Sequence, residues 1–176
     1  MQPFLSCVIP AYNEAANLKD FIPALSEVLR KETTQFEIIV INDGSTDATL
    51  EILKDLLTQY PLHILSLSRN FGKEAAISAG LEHTNGQACL LIDADFQHPI
   101  DVIPIMIDLW KNGYDMVYGV RNRYTESWLK RFLTKIYYRL LSWGSSVDIP
   151  ENAGDFRLLD KKVIDAMRNL PEKNLY

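Results

Sequence analysis

Two carboxylates stand two residues apart at the end of an apolar run in Leu90-Leu91-Ile92-Asp93-Ala94-Asp95-Phe96-Gln97-His98-Pro99. The run over residues 88–92 has the length of a buried strand, and Pro99 opens the apolar-periodic segment that follows. In an extended tail, residues i and i+2 point the same way, so Asp93 and Asp95 are expected side by side. Like charges at that spacing repel unless a cation lies between them, and oxygen-only ligands favour a hard divalent ion, Mg²⁺ or Mn²⁺. Gln97, a further two residues along, offers the same ion a carbonyl oxygen. Alone the triplet is weak, because Asp is a common turn residue and a solvated turn is the ordinary outcome for Asp-x-Asp. The elements around it decide.

Residues 5–9 form a short apolar run closed by Pro10, as in a strand of a sheet buried on both faces. Leu18, Phe21, Ile22, Leu25, Val28 and Leu29 then recur on one helical face, with Asn13 or Asn17 as cap. Pro23 inside that pattern is expected to kink the helix or to mark the start of its regular part. Residues 36–41 read as a second strand, and Ser45 or Thr46 as the cap of a helix carrying Leu50, Leu53, Leu56, Leu57 and Tyr60. A third strand over 62–67 and a third helix over 74–83 follow, with Gly86 as a turn. Beyond the carboxylates, 100–112 reads as helix with Gly113 as its cap, and 116–118 as a fifth short strand. Near the end, Asp160 caps a short helix carrying Val163, Ile164 and Met167.

Such alternation predicts a right-handed, mostly parallel α/β sheet with ligands beyond the carboxyl ends of its strands. The polar residues fall there: Tyr12-Asn13-Glu14 after the first strand, Asp43 after the second, Ser68-Arg69-Asn70 after the third, Asp93 and Asp95 after the fourth. No Gly-x-Gly-x-x-Gly follows the first strand, and Gly72-Lys73 runs into Glu74 rather than Ser or Thr. With both common phosphate loops missing, a metal is left to hold phosphates in the crevice.

The chain of 176 residues suits one domain, and 47% hydrophobic residues exclude a disordered chain. A net charge of −5 gives no reason to expect nucleic acid. The average conceals a segment: Arg121, Arg123, Lys130, Arg131, Lys135 and Arg139 meet only Glu126 between positions 121 and 139. An anionic partner is expected for it. Cys7 and Cys89 lie within apolar runs, as small buried hydrophobes in a reducing, cytosolic protein would. There is neither a signal peptide nor an apolar stretch of 18 residues, so nothing in these residues is expected to span a membrane.

The stretches Val8-Ile9-Pro10-Ala11-Tyr12-Asn13-Glu14, Val40-Ile41-Asn42-Asp43-Gly44-Ser45-Thr46-Asp47 and Asp93-Ala94-Asp95 resemble the inverting nucleotide-sugar glycosyltransferases of family 2. Within that family, Ser68-Arg69-Asn70-Phe71-Gly72-Lys73-Glu74-Ala75-Ala76, residues 93–99 and Gly154-Asp155-Phe156-Arg157-Leu158-Leu159-Asp160 are similar to the branch that loads a sugar onto a polyprenyl or dolichyl phosphate. Bactoprenol glucosyltransferases and dolichol-phosphate mannose synthases are its familiar members. The resemblance implies a GT-A fold, a Rossmann-like mostly parallel sheet with helices on both faces. It also implies that Pro10, Tyr12, Glu14, Asp43, Arg69, Lys73 and Asp93 hold a UDP- or GDP-sugar donor. Asp93, Asp95 and Gln97 would bind Mg²⁺ or Mn²⁺ bridging the donor diphosphate, with Arg121 and Arg123 contacting phosphates. Asp155 matches the acidic position that such enzymes use as general base. A phosphate-monoester acceptor, with a second pKa of about 6, is already mostly ionised at neutral pH. Asp155 is therefore expected mainly to orient the acceptor and Arg157.

Trp128, Phe132, Ile136 and Leu140 form one row at i+4 spacing, Leu129, Leu133, Tyr137 and Leu141 the next, and Arg131, Lys135 and Arg139 a basic third. Residues 124–147 thus read as an amphipathic helix, either packed on the core or lying in a membrane interface. The resemblance favours the interface, which places the protein in the cytoplasm at the inner face of the membrane, with a polyprenyl phosphate acceptor. Members of the branch usually continue beyond the point where this chain stops, so residues 1–176 are expected to be one GT-A catalytic domain shortened at its C-terminal side. Edge strands of such a sheet can pair, although no residue demands an oligomer. A saccharide acceptor, a non-catalytic nucleotide-binding module and a haloacid-dehalogenase-like phosphatase are the competing readings. The last normally opens with its Asp-x-Asp, whereas three strand-helix units precede this one.

Overall fold

The computed structural model describes residues 4–120 and 153–169. Four apolar strands, β1 (Leu5–Ala11), β2 (Phe36–Asn42), β3 (Leu62–Ser66) and β4 (Ala88–Leu91), pair in parallel, with β1 between β2 and β4. With β5 (Met116–Val120) and β6 (Ala153–Asp160) they form one sheet in the order β3-β2-β1-β4-β6-β5. β6 runs antiparallel to both of its neighbours, so the sheet is mixed at one end and parallel elsewhere, as expected. The acidic stretch 154–160, which carries no clear strand or helix pattern in the sequence, lies in strand β6. Its strand pattern is short: Phe156 and Leu158 face one side of the sheet and Leu159 the other, all buried.

Alternate residues of each strand feed two cores, which explains the near-continuous hydrophobic runs. Cys7, Ile9, Ile38, Val40 and Leu90 meet α1 (Ala15–Glu32), α2 (Thr49–Leu57) and α4 (Ile103–Lys111) on one face. Val8, Ile39, Ile41 and Leu91 meet α3 (Lys73–Glu82) and α5 (Lys161–Arg168) on the other. Helices therefore cover both faces. Cys7 and Cys89 are wholly buried, and burial pushes both thiols up, away from the reactive thiolate. Among the described residues, no helix is long and apolar enough to cross a membrane.

Local details differ from the sequence expectation for physical reasons. α1 passes through Pro23 without a break. A mid-helix proline costs about 3 kcal/mol. Burial of Leu18, Phe21, Ile22, Leu25 and Leu29 outweighs it at roughly 1.5–3 kcal/mol each. Glu14, not Asn13 or Asn17, sits at the N-cap of α1, and α2 begins at Thr49 rather than beside Ser45 or Thr46. The segment 100–112 starts as a single 3₁₀ turn over Ile100–Val102 before α4, and Gly113 ends it at φ 100°.

Asp160 does cap α5, accepting from the Lys162 backbone N–H at 2.9 Å and from the Trp110 indole at 2.8 Å. Burial alone raises this carboxyl, but the Trp110 and Lys162 hydrogen bonds and the Lys162 charge together hold it below the usual carboxylate value. A carboxyl whose folded pKa is lowered stabilises the fold fully above its unfolded pKa, about 3.9, and loses that contribution as pH falls through the folded value. Asp160→Asn is thus expected to lower the urea midpoint at pH 7, by about 1 kcal/mol of stability. The gap from the parent protein should narrow as the pH drops below about 4. A gap equal at both pH values would contradict the charge-based account.

Candidate donor and metal site

The crossovers from β1 lead to β2 and β3 on one side and to β4 on the other, so a crevice opens at the carboxyl ends where the strand order reverses. It holds a cavity of about 360 Å³ lined by Pro10, Ala11, Tyr12, Glu14, Asp43, Asn70, Gly72, Lys73, Ala76, Asp93, Ala94 and Asp95. Residues distant in sequence thus meet: the β1 end supplies an aromatic ring and a carboxylate, the β4 end two carboxylates, and the start of α3 an ammonium.

The walls are loops fastened to one another by hydrogen bonds. Asn13, in the left-handed region at φ 57°, accepts through its side-chain oxygen from the backbone N–H of Thr46 at 2.8 Å and of Asp47 at 3.3 Å. Asp47 accepts from Thr49 and from Ala15 N–H, and these bonds outweigh burial to lower its carboxyl pKa. The Thr49 hydroxyl accepts from Glu14 N–H at 2.9 Å. The candidate caps Asn13 and Ser45 are therefore spent tying the β1 and β2 loops together, the Asn13 N–H donating to Ser45 Oγ. Asn13→Ala removes the bonds from Thr46 N–H and Asp47 N–H and replaces a residue type that tolerates the left-handed region by one that does not, so stability should fall by about 2 kcal/mol. Asn13→Gly should recover the backbone share of that loss, and a urea titration in which alanine matches the parent would contradict it.

Asp43 is buried, 3% exposed, and its two oxygens accept from Phe71 N–H at 2.8 Å and Gly72 N–H at 2.9 Å. It lines the cavity while clamping the β3-α3 loop. Tyr12 is 44% exposed, leaving a ring face open to a stacking partner. The Glu14 carboxylate accepts from the Asn17 side chain at 2.6 Å. Arg69 does not reach the cavity lining: its guanidinium stacks on the Phe71 ring, 4.8 Å from the centroid.

Asp93 and Asp95 are not on an extended tail. β4 stops at Leu91, and Ala94 and Asp95 lie in a turn. Phe96, at φ 56°, reverses the chain and sets its ring edge-on to Phe21 at 5.0 Å. Both carboxylates still face the cavity, whereas Gln97 stands outside its lining, its backbone N–H donating to Asp95 Oδ1 at 3.0 Å. Lys73 Nζ lies 2.7 Å from Asp93 Oδ2. His98, for which the sequence suggests no role, is buried with Nε2 4.0 Å from Asp93 Oδ2, and its ring stacks on Phe156 at 5.0 Å. Its place in the same short stretch as the two aspartates was the available signal.

Among the described residues, no three His, Cys, Asp or Glu side chains gather as a ready metal cluster. Two carboxylates from one turn make an oxygen-only donor set, which fits a hard divalent ion completed by phosphate oxygens and water. Arg121, Arg123 and the helix read over 124–147 lie outside the described residues, as does the side chain of Asp155.

A profile described as glycosyl transferase family 2 matches residues 6–168. The chain belongs to this family. It is 45% identical over 174 residues to an uncharacterized glycosyltransferase of Synechocystis sp., covering 98% of this chain and 55% of that one. It is 43% identical to the bactoprenol glucosyl transferase of Shigella phage SfX, covering 98% and 57%. The chain thus spans about half the length of the curated relatives it matches. Among solved structures, a mannosyltransferase from Pyrobaculum calidifontis in complex with GDP-Man and Mn²⁺ superposes with a TM-score of 0.69 at 18% identity, over 97% of this chain and 48% of that one. Glucosyl-3-phosphoglycerate synthase from Mycobacterium tuberculosis, with Mn²⁺ and UDP, gives 0.65 at 20% identity, over 92% and 58%. The fold is the GT-A fold of family 2 glycosyltransferases, as the motifs implied.

Proposed function

We propose that this chain is the donor-binding part of a metal-dependent inverting glycosyltransferase that moves a hexose from a UDP-glucose- or GDP-mannose-type donor to a polyprenyl phosphate, at the cytoplasmic face of the membrane. One observation carries the reading: Asp93, Ala94 and Asp95 after β4 and Tyr12 and Glu14 after β1 line one cavity at the strand-order reversal. Relatives named bactoprenol glucosyl transferase support the lipid acceptor, and neighbours crystallised with Mn²⁺ and GDP-Man or UDP support the donor class.

Tyr12 offers a face for the base, Pro10 and Glu14 flank the nucleoside, and Asp43 fixes the loop that closes that side of the cavity. Asp93 and Asp95 supply oxygens to Mg²⁺ or Mn²⁺. When bound, the ion stabilises negative charge on the departing diphosphate as a Lewis acid. Arg121 and Arg123 add phosphate contacts, and Asp155 orients an acceptor phosphate that is already ionised, together with Arg157.

Calorimetric titration with UDP-glucose and GDP-mannose, each with and without Mn²⁺, tests the reading. Metal-dependent binding of one nucleotide supports it and names the base. Absence of binding by either, at any metal concentration, would reduce the family membership to shared ancestry without a competent site.

A further inference from the structure

The Lys73–Asp93 ion pair lies inside the cavity assigned above to the donor. Its side chains are 37% and 24% exposed, and ion pairs so open to solvent contribute only about 0–1 kcal/mol to stability. Neither partner needs it as a strut. The turn bearing Asp93 is held by Ile92 N–H on Val8 O at 3.2 Å and by the buried Ala94, and the start of α3 by Gly72 N–H on Asp43 and the buried Ala76. What the pair does is neutralise one of the two carboxylates available to a divalent ion.

We propose that Lys73 competes with the metal for Asp93 and is released when the donor's diphosphate enters with the ion. This inference rests on the donor reading above. The charges give the reason. Among the described residues the cavity lining carries four carboxylates, Glu14, Asp43, Asp93 and Asp95, and one ammonium, Lys73, which sits on Asp93. A dication approaching Asp93 alone meets that ammonium, 2.7 Å from the carboxylate oxygen it would bind, so like-charge repulsion opposes the step. A diphosphate arriving with the dication offsets the ion's charge and gives the ammonium a new anionic partner. Lys suits the exchange because its charge rides on a flexible four-carbon stem, whereas an Arg fork would hold the carboxylate in a fixed geometry. Ion and nucleotide therefore bind as a coupled pair, and the site without nucleotide holds metal weakly.

Mn²⁺ binding by this chain, followed through the electron-paramagnetic-resonance signal of the free ion, tests the proposal without requiring turnover. The parent, Lys73→Met and Asp95→Ala proteins are each titrated with Mn²⁺ alone, then in the presence of UDP or GDP. Met keeps the length of the stem and removes the charge. Lys73→Met is expected to bind Mn²⁺ alone about tenfold more tightly, within the usual range of coupling between two ligands. The enhancement of Mn²⁺ affinity by nucleotide should shrink by the same factor, and Asp95→Ala should lose Mn²⁺ binding. General damage to the site lowers metal affinity, whereas loss of the ammonium beside Asp93 raises it. Lys73→Met binding Mn²⁺ no more tightly than the parent overturns the proposal, and an undiminished nucleotide effect in that variant overturns the hand-over. If neither UDP nor GDP alters Mn²⁺ binding in the parent while Lys73→Met still tightens it, the donor reading fails and the competition for Asp93 stands.

Discussion

Asp95→Ala is expected to lower the affinity of this chain for its nucleotide at least about a hundredfold in the presence of Mn²⁺, and to change little without the ion. Residues that merely orient a metal ligand are worth 10–100-fold, and loss of a ligand should exceed that. Asp95 is partly exposed and its side chain accepts from Gln97 N–H, so the fold should lose no more than about 1 kcal/mol. Asp95→Asn keeps an oxygen for that N–H but removes the charge, and should fall between the two. Calorimetry with and without Mn²⁺, paired with a urea titration, separates binding from folding. Metal-dependent binding that survives Asp95→Ala would show that the ion is held elsewhere.

Gly44→Ala should be the costliest small substitution in the site, at about 2–5 kcal/mol. The backbone at Gly44 has φ 65°, which costs a residue with a β-carbon roughly 1–2 kcal/mol. That β-carbon would also lie 2.3 Å from the carbonyl carbon of Arg69 and 2.6 Å from the Asn70 nitrogen. These are backbone atoms and do not swing aside. The 69–72 loop must move away from β2, which strains the Asp43 bonds to Phe71 and Gly72 at roughly 1–3 kcal/mol. A urea titration reads the loss, and calorimetry should show weaker nucleotide binding alongside it. A cost below about 1 kcal/mol would mean that the two loops yield easily.

The legible part of this fold was the part written in local pattern. β1, β2 and β4 are apolar runs buried on both faces, so their existence and their polar ends were readable together. β6 escaped because it offers only Phe156, Leu158 and Leu159, set beside Gly154, Asp155 and Arg157, and owes its strand form to pairing with β4 and β5. The helix caps misled for a related reason. Asn13 and Ser45 are the right residue types, but partners more than thirty positions away, such as Thr46 for Asn13, claimed them. The site was legible as a set of residues and not as a set of bonds: the Lys73–Asp93 pair, the Asp43 clamp and the His98–Phe156 stack all join segments distant in sequence. Gln97, which follows the left-handed Phe96, and Arg69, stacked on the Phe71 ring, stand outside the cavity lining.

The place of β6 in the sheet also bears on how the chain reaches this fold. β4, α4 and β5 form a strand-helix-strand unit whose two strands run parallel, the arrangement that ordinarily brings them side by side. Here the slot between them belongs to β6, which starts at Ala153, long after β4 has ended at Leu91. As the chain emerges during synthesis, β4 is left with an open edge, and β5 is the first strand available to fill it. A β5 docked directly on β4 would be a kinetic trap that must open before the sheet can close. Folding should be slow at this step, and most exposed to edge-to-edge association while the slot waits for its strand.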